Sequence, residues 1–505
     1  MSKSAVLLYP NQLFHVDYLP RDVDEVILVE EPLMFGTDSQ HRMYVHKQKL
    51  VFLRATMRRY TEQTLWPAGY KVDYIEHTHL TETEDIVEKL KDYDHISLFE
   101  IDDDIISRRL FSAIEAHPER PEITVVNNPN FYVSSADCRK FFEDKQHTRF
   151  ADFYQWQRER FNIMIDQKTY KPLEGSWVLD TKKPKKLPAS SKPPSFQIFG
   201  ANNYVAEAID YVNTQFPENP GSVTDFPWPT SHGEAEAWFL EFLQHRLEKY
   251  AMYEHAIDGD MPWMYHSAIS PMLNCGLLQP QTVVDTAVNY AESKSIAPEV
   301  LEPFIRNIVG WREYVRAVYK KRHVTLRTAN KYNHTRRMTH DWYSGTTGIQ
   351  PVDDIIRKVH TRAYTHQAER IMVLGNIMFL CEFHPDEIYR WFMEMFIDSY
   401  DWTVVPNVYG LSQNAAGMDT SQPGISSSNY ILSLSHYERG EWSDIWDGLY
   451  WRCVEKNKEL FAKNPGMSRS VKQLERMNKN RKRIIGYRAD DFLNAMTVTD
   501  TSAGQ

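Results

Sequence analysis

Residues 266–278, HSAISPMLNCGLL, combine hydroxyl side chains, a proline and a glycine in a way that could bind an anion. Ser270 before Pro271 predicts a helix N-cap with proline at the first helical position, where its missing N–H costs nothing. The free N–H groups of that helix, beside the hydroxyls of Ser267 and Ser270, would suit a phosphate-bearing cofactor. Gly276 would let another group approach the backbone closely. An ordinary capped core helix fits the same letters, so both interpretations stay open.

Charged side chains interrupt a strongly apolar helical pattern in FIRNIVGWREYVRAVY, residues 304–319. Trp311, Arg312, Glu313 and Arg316 place charge and a large aromatic ring in this pattern. Buried charges need partners or ligands. Trp311 and Glu313 are therefore candidates for cofactor binding, and pairing of Arg with Glu between helices is the structural alternative.

A predicted helix from Asp353 to Leu380 carries polar groups on an apolar stripe. The apolar positions of this stripe are Val359, Ala363, Ile371, Leu374 and Met378. His366 or Gln367 lies on the stripe, together with Arg370. A histidine in this position is either a catalyst or a hydrogen-bonded core residue.

Aromatic residues cluster in RWFMEMFIDSYDWTVVPNVYGLSQNAAG, residues 390–417. Trp391, Tyr400, Trp402 and Asn407 lie close together in this segment. Such a helix is usually core. Beside a redox cofactor, however, spaced Trp and Tyr side chains can pass an electron to the surface, because each is oxidisable.

Residues 320–340, KKRHVTLRTANKYNHTRRMTH, contain no acid. Solvated helix faces normally mix charges of both signs, so this run predicts a phosphate-binding surface. Its cations are Lys320, Lys321, Arg322, Arg327, Lys331, Arg336 and Arg337. A second run at 476–483, RMNKNRKR, would extend the surface, and a merely soluble basic loop is the alternative.

Composition bounds the kind of protein that carries these residues. The chain has 505 residues, a net charge of -10, and 42% hydrophobic and 13% aromatic residues, which describes a compact protein of about two domains. The net charge argues against indiscriminate nucleic-acid binding, although a basic face can coexist with it. No apolar run reaches membrane-spanning length and no signal peptide is present, which predicts a cytoplasmic protein. Four scattered cysteines predict neither disulfides nor a local metal site.

The positioning elements follow from the pattern of strands and helices. Predicted strands at 4–9, 25–30, 71–76, 95–100 and 123–128 alternate with helical stretches at 46–65, 82–91 and 105–116. This alternation predicts a Rossmann-like α/β domain with a parallel sheet over residues 1–130, but no G-x-G-x-x-G follows its first strand. Residues 131–200 are predicted to connect the domains, with a Lys/Pro/Ser-rich linker at 168–196. Residues 201–505 are predicted to form an all-α domain.

Four ordered motifs together are far more specific than any one of them. HSAISPMLNCGLL, GWREYVRAVY, AYTHQAERIMVLGN and DWTVVPNVYGLSQ stand in this order behind an α/β domain. The chain thereby resembles the photolyase/cryptochrome family over nearly its whole length. It is most similar to the bacterial branch of (6-4) photolyases and iron–sulfur cryptochromes.

The resemblance implies that the serine-rich helix start cradles the diphosphate of FAD through Ser267, Ser270 and Asn274. The further cofactor-binding candidates are His266, Trp311, Glu313, Arg370 and Asn407. Asn11, Glu31 and the HKQKL helix are candidates for binding a lumazine antenna (6,7-dimethyl-8-ribityllumazine) in the α/β domain. The basic run would then contact damaged DNA.

Departures from the branch pattern change what we expect of the iron–sulfur cluster and of the proton donors. Pro351 and Asp444 stand where the branch has cluster cysteines, so no iron–sulfur cluster is expected. Where the branch has Y-A-H-H, this chain reads Tyr364, Thr365, His366 and Gln367, so one of two candidate proton donors is missing.

The expected electron route is altered as well. Trp391 is followed by Phe392 rather than Tyr, Tyr400 remains, and Tyr343 replaces a Trp. Trp391, Tyr400 and Tyr343 are thus the candidate electron carriers.

The expected function is that of a DNA photolyase, a lyase that uses FAD and blue light to repair UV-induced pyrimidine dimers. The (6-4) lesion is favoured, with His366, Gln367 and Tyr364 at the catalytic position and His366 as acid. The alternative is a cryptochrome-like flavin photoreceptor without repair activity. The protein is expected to be monomeric.

Overall fold

The computed structural model describes residues 3–143, 149–179, 184–415 and 424–499. Within this part, the N-terminal region contains a sheet of five parallel strands in the order β3-β2-β1-β4-β5. The strands are β1 Ser4–Leu8, β2 Glu25–Val29, β3 Lys71–Ile75, β4 His95–Phe99 and β5 Glu122–Val126. Each predicted strand is present within two residues of its predicted bounds. The α/β class is confirmed.

Strand β1 is the central strand of the sheet, between β2 and β4. Its residues from Ala5 to Leu8 are fully buried, which explains an uninterrupted apolar run instead of an alternating one. Ala5 lies opposite Glu25 of β2 and Ile96 of β4. The helices of this region are α1 Pro32–Phe35, α2 Lys47–Tyr60, α3 Val87–Leu90 and α4 Asp104–Ala116. Helix α2 continues as a π-helical segment over Thr61–Leu65.

Helices predominate in the rest of the described chain. They are α5 Ser135–Phe142, α6 Phe150–Phe161, α7 Asn203–Gln215, α8 His232–His245, α9 Leu247–Tyr253, α10 Ser270–Cys275, α11 Pro280–Lys294, α12 Pro298–Ile305, α13 Glu313–Arg327, α14 Asp341–Ser344, α15 Gln350–Arg362, α16 Asn376–Leu380, α17 Pro385–Met395, α18 Asp401–Val405, α19 Ser428–Leu434, α20 Glu441–Lys456, α21 Lys458–Ala462, α22 Ser468–Glu475 and α23 Lys479–Met496. Segments Arg306–Arg312, Glu369–Gly375 and Pro406–Ser412 are π-helical. A short antiparallel pair, β6 Arg337–Met338 with β7 Thr497–Val498, is the β-structure that the all-α prediction omitted from this region.

The predicted linker is irregular where it is described. Residues 184–196 contain neither helix nor strand, and Leu187 is buried against the helical region with Ala256 and Met264. Parts of the three predicted regions lie outside the described residues, namely 1–2, 144–148, 180–183, 416–423 and 500–505. The domain boundaries stay a prediction. In the described part of the chain, no helix combines the length and apolarity needed to cross a membrane.

The helix predicted from Asp353 to Leu380 is interrupted. Helix α15 ends at Arg362, and Ala363 adopts a left-handed φ of 51°, where its carbonyl accepts a hydrogen bond from Ile397 N at 2.8 Å. His366 consequently lies in the connection between α15 and the following π-helical segment, not on a continuous helical stripe. The prediction was wrong because tertiary packing, which periodicity does not register, ends the helix.

The predicted cap of α10 is displaced by one residue. Ile269 is the N-cap, and Ser270 is the first helical residue. The Ser270 hydroxyl does not cap the helix, because it donates to Asp398.

Helix α10 packs directly against the α/β domain. Gly276 follows it with a φ of 94°, and a Cβ there would lie 2.8 Å from the Phe14 ring and 3.1 Å from Leu13 N. Leu13 N donates to Cys275 O at 2.9 Å. The close approach predicted for Gly276 is present, and the group that approaches is Phe14 after strand β1.

Replacing Gly276 by Ala should lower the free energy of unfolding by about 1–3 kcal/mol, because the new methyl group meets Phe14 and the backbone is left-handed. Urea unfolding followed by circular dichroism measures this loss. Gly233→Ala in helix α8 is the matched control, since nothing lies within 4 Å of its added Cβ. A loss for Gly276→Ala no larger than that of the control would contradict the packing described.

Candidate functional site

Asp398, between α17 and α18, joins three of the predicted cofactor-binding residues. Arg370 donates to its two carboxylate oxygens at 2.8 and 3.1 Å, and Ser270 Oγ donates at 2.5 Å. Asn274 Nδ2 donates to the Asp398 carbonyl oxygen at 3.0 Å. The sequence pattern did not indicate Asp398, although this residue lies within the aromatic segment 390–417. We call Ser270, Asn274, Arg370 and Asp398 the Asp398 cluster.

Arg312 extends this cluster toward the α/β domain. Its guanidinium donates to Asn274 Oδ1 at 3.4 Å and to the Asn130 carbonyl. The rings of Phe131 and Trp402 lie 4.4 and 5.1 Å from it. Burial lowers the pKa of Arg312 to about 10. Of the charged pair in GWREY, the arginine therefore reaches the cluster.

Glu313 and Trp311 make contacts away from the Asp398 cluster, and their cofactor-binding role stays a prediction. Glu313 Oε1 accepts from Tyr132 N at 3.1 Å, and burial raises the pKa of Glu313 to about 7. Trp311 packs edge-on against Phe150 with ring centroids 5.4 Å apart. Neither residue contacts the Asp398 cluster among the described contacts.

Arg316 pairs with two acids of the α/β domain. It donates to Asp102 at 2.7 Å and to Glu100 at 3.1 Å, both of which follow strand β4. The carboxylates raise the pKa of Arg316 despite the opposing effect of burial.

His366 stacks on His266 with ring centroids 4.1 Å apart and planes 13° apart. The His266 nitrogens lie 3.2 Å from Trp263 O and 3.0 Å from Glu254 O. Burial and the neighbouring His366 lower the pKa of His266 to about 3, so this ring is neutral. The structure thus brings a second histidine to His366 from a segment 100 residues away.

Glu369 lies beside His366 at the base of this stack. His366 Nε2 is 3.3 Å from Glu369 Oε1, but neither His366 nitrogen has a well-aligned hydrogen-bond partner among the described residues. Lys358 Nζ is 2.7 Å from Glu369 Oε2, and Asp258 N donates at 3.2 Å. Although burial alone raises it, Lys358 and His366 hold the pKa of Glu369 well below its ordinary value. An ionised carboxylate therefore faces the His366 ring.

The other two predicted catalytic residues lie on different sides of His366. Gln367 is exposed, and its amide donates to Asn407 Oδ1 at 3.4 Å. Tyr364 is buried beside Trp228 and Trp263, and its ring lies 5.1 Å from the Arg370 guanidinium. Tyr364 and Arg370 are thus neighbours, whereas Gln367 faces outward.

Ser267 and Asn407 make backbone contacts outside the Asp398 cluster. The Ser267 carbonyl accepts from Trp238 Nε1 at 2.9 Å. Asn407 Nδ2 donates to Thr403 O at 2.8 Å. The diphosphate-binding role implied for Ser267 stays a prediction.

The predicted electron carriers are not in mutual ring contact. Trp391 is fully buried against Phe392 and Phe396, with centroids 5.6 Å from each. Tyr343 donates to Glu394 at 2.8 Å, and the buried Tyr400 hydroxyl has no described hydrogen-bond partner. Among the described residues, no ring contact joins Trp391 to either tyrosine. The route stays a prediction.

A cavity of about 110 Å³ lies between the α/β domain and helices α17 and α18. Lys49 and Tyr400 line it, and Lys49 Nζ donates to Ser399 O at 2.5 Å. Burial lowers the pKa of Lys49 to about 8. Asp103 and Asp401 also line the cavity, and burial, together with Asp401, raises the pKa of Asp103 to about 7.

The antenna candidates Asn11 and Glu31 do not line this cavity. Glu31 accepts from Thr83 Oγ1 at 2.6 Å, and burial raises its pKa to about 8. The Asn11 carbonyl accepts from Asn130 Nδ2 at 3.3 Å. Of the HKQKL helix, Lys49 reaches the cavity.

The run at 320–340 does not form one basic surface. Lys320 lies 3.3 Å from Glu100, and Arg327 pairs with the buried Asp401. Lys321 donates to Phe142 O at 2.8 Å, and Arg336 donates to Thr497 Oγ1 at 2.8 Å. The absence of acids in the run is compensated by acids from the α/β domain and from α18, which local sequence does not show. Arg322 is half-buried, and Lys331 and Arg337 are exposed.

Several buried polar groups around His366 and Tyr400 fit a polar cofactor. Both His366 nitrogens, the Tyr400 hydroxyl and the Asn414 amide are buried without described hydrogen-bond partners, as expected where a ligand would supply them. The cavity beside Tyr400 is smaller than the roughly 300–1,000 Å³ of typical ligand pockets. The Asp398 cluster, not this cavity, is therefore the candidate flavin site.

The four cysteines are buried and unpaired in disulfides. Across the described ranges, no group of three or more His, Cys, Asp or Glu side chains is placed to hold a metal ion. The expected absence of an iron–sulfur cluster stays a prediction.

Comparison with known proteins identifies the family. Residues 6–228 match the model of deoxyribodipyrimidine photo-lyase-related protein, and residues 304–432 match the FAD binding domain of DNA photolyase. The chain is 26% identical over 479 residues to the (6-4) photolyase of Agrobacterium fabrum, covering 89% of this chain and 91% of that protein.

Solved structures share the fold. A class III photolyase from Agrobacterium tumefaciens superposes with a TM-score of 0.57 at 14% identity, covering 96% of this chain and 92% of that one. A Synechocystis cryptochrome superposes with a TM-score of 0.55 at 14% identity, covering 96% and 94%. The chain belongs to the photolyase/cryptochrome family and contains an FAD-binding domain.

Asp103 should make stability depend on pH. Its carboxyl keeps its proton in the folded protein up to about pH 7, whereas an unfolded Asp loses it near about pH 4. The folded state binds the extra proton in this window, so stability falls as pH rises through it. Asp103→Asn keeps a good N-cap for α4 but does not titrate, so this variant should gain stability relative to wild type as pH rises. Urea unfolding across the window measures the difference.

Asp103→Ser, a second non-titrating cap, is the control and should reproduce the same relative gain. Parallel stability curves for wild type and both variants would contradict the shifted pKa.

Proposed function

We propose that this protein is an FAD-dependent DNA photolyase that repairs UV-induced pyrimidine dimers under blue light, with the (6-4) lesion favoured. Similarity to a (6-4) photolyase over most of both chains supports the proposal. The observation that carries it is His366, buried with unpartnered ring nitrogens between His266 and Glu369. An imidazole in this setting is suited to give a proton to a reacting base.

The Asp398 cluster would hold the flavin. Bound FAD would supply the light-driven electron that splits the lesion. Arg370, fixed by two hydrogen bonds to Asp398, presents a rigid guanidinium, and Ser270 and Asn274 are oriented by the same residue. These groups are pre-organised, so little side-chain freedom is lost on binding.

His366 would deliver the proton that a (6-4) lesion requires. A Gln amide cannot supply a proton at ordinary pH, whereas an imidazole can. The His366 ring lies between the neutral His266 ring and the Glu369 carboxylate. The DNA would have to present the lesion in flipped-out form to reach a buried acid.

A photoreceptor without repair is the second candidate. Gln367 stands where the branch has a second histidine, and Pro351 and Asp444 stand where it has cluster cysteines; both departures favour this candidate.

The antenna and the DNA contacts belong to the same proposal. A lumazine antenna would bind at the carboxyl ends of β1 and β2, where Asn11 and Glu31 lie. The exposed Lys331 and Arg337 are the members of the basic run that we propose for DNA contact. We further propose a cytoplasmic monomer.

Purified protein should contain about one FAD and no stoichiometric iron, because Pro351 and Asp444 cannot replace thiolate ligands. An absorption spectrum and metal analysis by mass spectrometry measure both. Iron at cluster levels would contradict the ligand argument, whereas partial flavin loading would not.

His366→Ala should lower (6-4) repair by illuminated, reduced protein at least about 100-fold while FAD stays bound. Repair of cyclobutane dimers, which split without net proton transfer, should survive the change. Gln367→His should raise the rate of (6-4) repair. Chromatography of products from each lesion measures all three.

His334→Ala controls for the loss of a buried histidine, since His334 packs against Phe379 apart from the stack with His266. Absence of repair of either lesion by wild-type protein with fully reduced flavin would overturn the photolyase assignment and favour the photoreceptor.

A further inference from the structure

Uncompensated positive charge collects at the corner between α22 and α23. Residues 469–483 contain seven cations, of which six are exposed and the seventh, Lys482, pairs with Glu455. The six exposed cations are Arg469, Lys472, Arg476, Lys479, Arg481 and Arg483. Unlike Lys320 and Arg327, none of the six forms an ion pair with an acid in the described part of the chain. We call these six residues, with Tyr487, the α22–α23 surface.

Helix α22 presents its cations on one side. Arg469 and Lys472 lie three residues apart on one face of α22, and the C-cap residue Arg476, four positions later, continues that line. Val471 and Leu474 are buried on the opposite face. The packing of these two apolar residues therefore holds the cations toward solvent.

Helix α23 also carries exposed cations, and it begins after a three-residue connection. Lys479, Arg483 and Tyr487 recur every four residues on one face, while Ile485 and Ala489 are buried on the other. Tyr487 is 73% exposed, which is unusual for a large aromatic side chain. The α23 N-terminus, capped by Asn478, adds its positive dipole end to this corner.

Three acids near these cations pair with cations outside the set of six. Glu475 pairs with Lys458 at 2.8 Å, and Glu455 pairs with Lys482 at 2.5 Å. Asp490 pairs with Arg452. In a chain with a net charge of -10, the α22–α23 surface is thus a local positive field that the fold leaves open.

We propose that the α22–α23 surface binds single-stranded nucleic acid without sequence preference. Its cations contact phosphates, and Tyr487 stacks on an unpaired base. Spaced cations around an exposed aromatic ring are the combination that such sites use. The inference rests on the proposed function only in taking DNA as the partner. The proposed contact with the nucleic-acid backbone lies on a part of the protein chain separate from the Asp398 cluster.

The test uses the full-length protein in the dark with labelled, undamaged oligothymidylate and a matched duplex across a salt series. Arg481→Gln with Arg483→Gln should weaken binding of both about tenfold and lower the salt slope by about one to two units. Tyr487→Ala should weaken binding of the single strand about tenfold and leave the duplex nearly unchanged. Circular dichroism confirms that each variant is folded.

Arg139→Gln with Lys140→Gln is the matched control, since it removes the same charge from exposed positions of α5. Unchanged affinity and slope in the Arg481/Arg483 variant, or an equal loss in the control, would overturn the proposal. Equal losses on both probes for Tyr487→Ala would overturn the stacking role. Binding to phosphatidylserine vesicles but not to oligothymidylate would overturn nucleic acid as the partner.

Dark binding of undamaged DNA needs neither flavin nor lesion, so this test is separate from that of the proposed function. If wild-type protein repairs the lesion but the Arg481/Arg483 variant binds undamaged DNA as tightly as wild type, this inference is wrong and the proposed function stands. If that variant loses binding in the dark but wild-type protein repairs no lesion, the proposed function is wrong and this inference stands.

Discussion

The pairing of Arg370 with Asp398 is the interaction on which the candidate site depends. It is bidentate, which gives both strength and a defined orientation. Asp398 also orders Ser270 through its carboxylate and Asn274 through its backbone carbonyl, so one residue ties α10 to the segments before α18 and after α15. Removing it would leave the Arg370 guanidinium without its carboxylate, and breaking such a largely buried pair is strongly destabilising.

A second constraint is the amount of charge that the fold buries. Glu369 and Lys358 are paired away from water, and His366 is placed against their carboxylate. Such a pair contributes little net stability, because desolvation offsets attraction. Its consequence is instead local, since the pairing with Lys358 fixes the Glu369 carboxylate beside the His366 ring.

Ion pairs of buried and half-buried charges also join the two domains. Arg316 and Lys320 reach the acids after strand β4, and Arg327 reaches Asp401 beside the interdomain cavity. Cations that look like a nucleic-acid surface in the sequence therefore hold the α/β domain against α13. A second group of exposed cations lies on α22 and α23, where Glu475 and Glu455 pair with Lys458 and Lys482.

The sequence by itself determined the parallel α/β domain, the helical remainder and the family, because strand alternation and ordered motifs are local patterns. It also singled out Ser270, Asn274, Arg370 and His366. Tertiary structure alone decided that Asp398 joins the first three and that His266 stacks on His366, since these partners come from segments distant along the chain. It also ended α15 at Arg362 and neutralised Lys320 and Arg327, because neither long-range packing nor pairing with distant acids leaves a local signal.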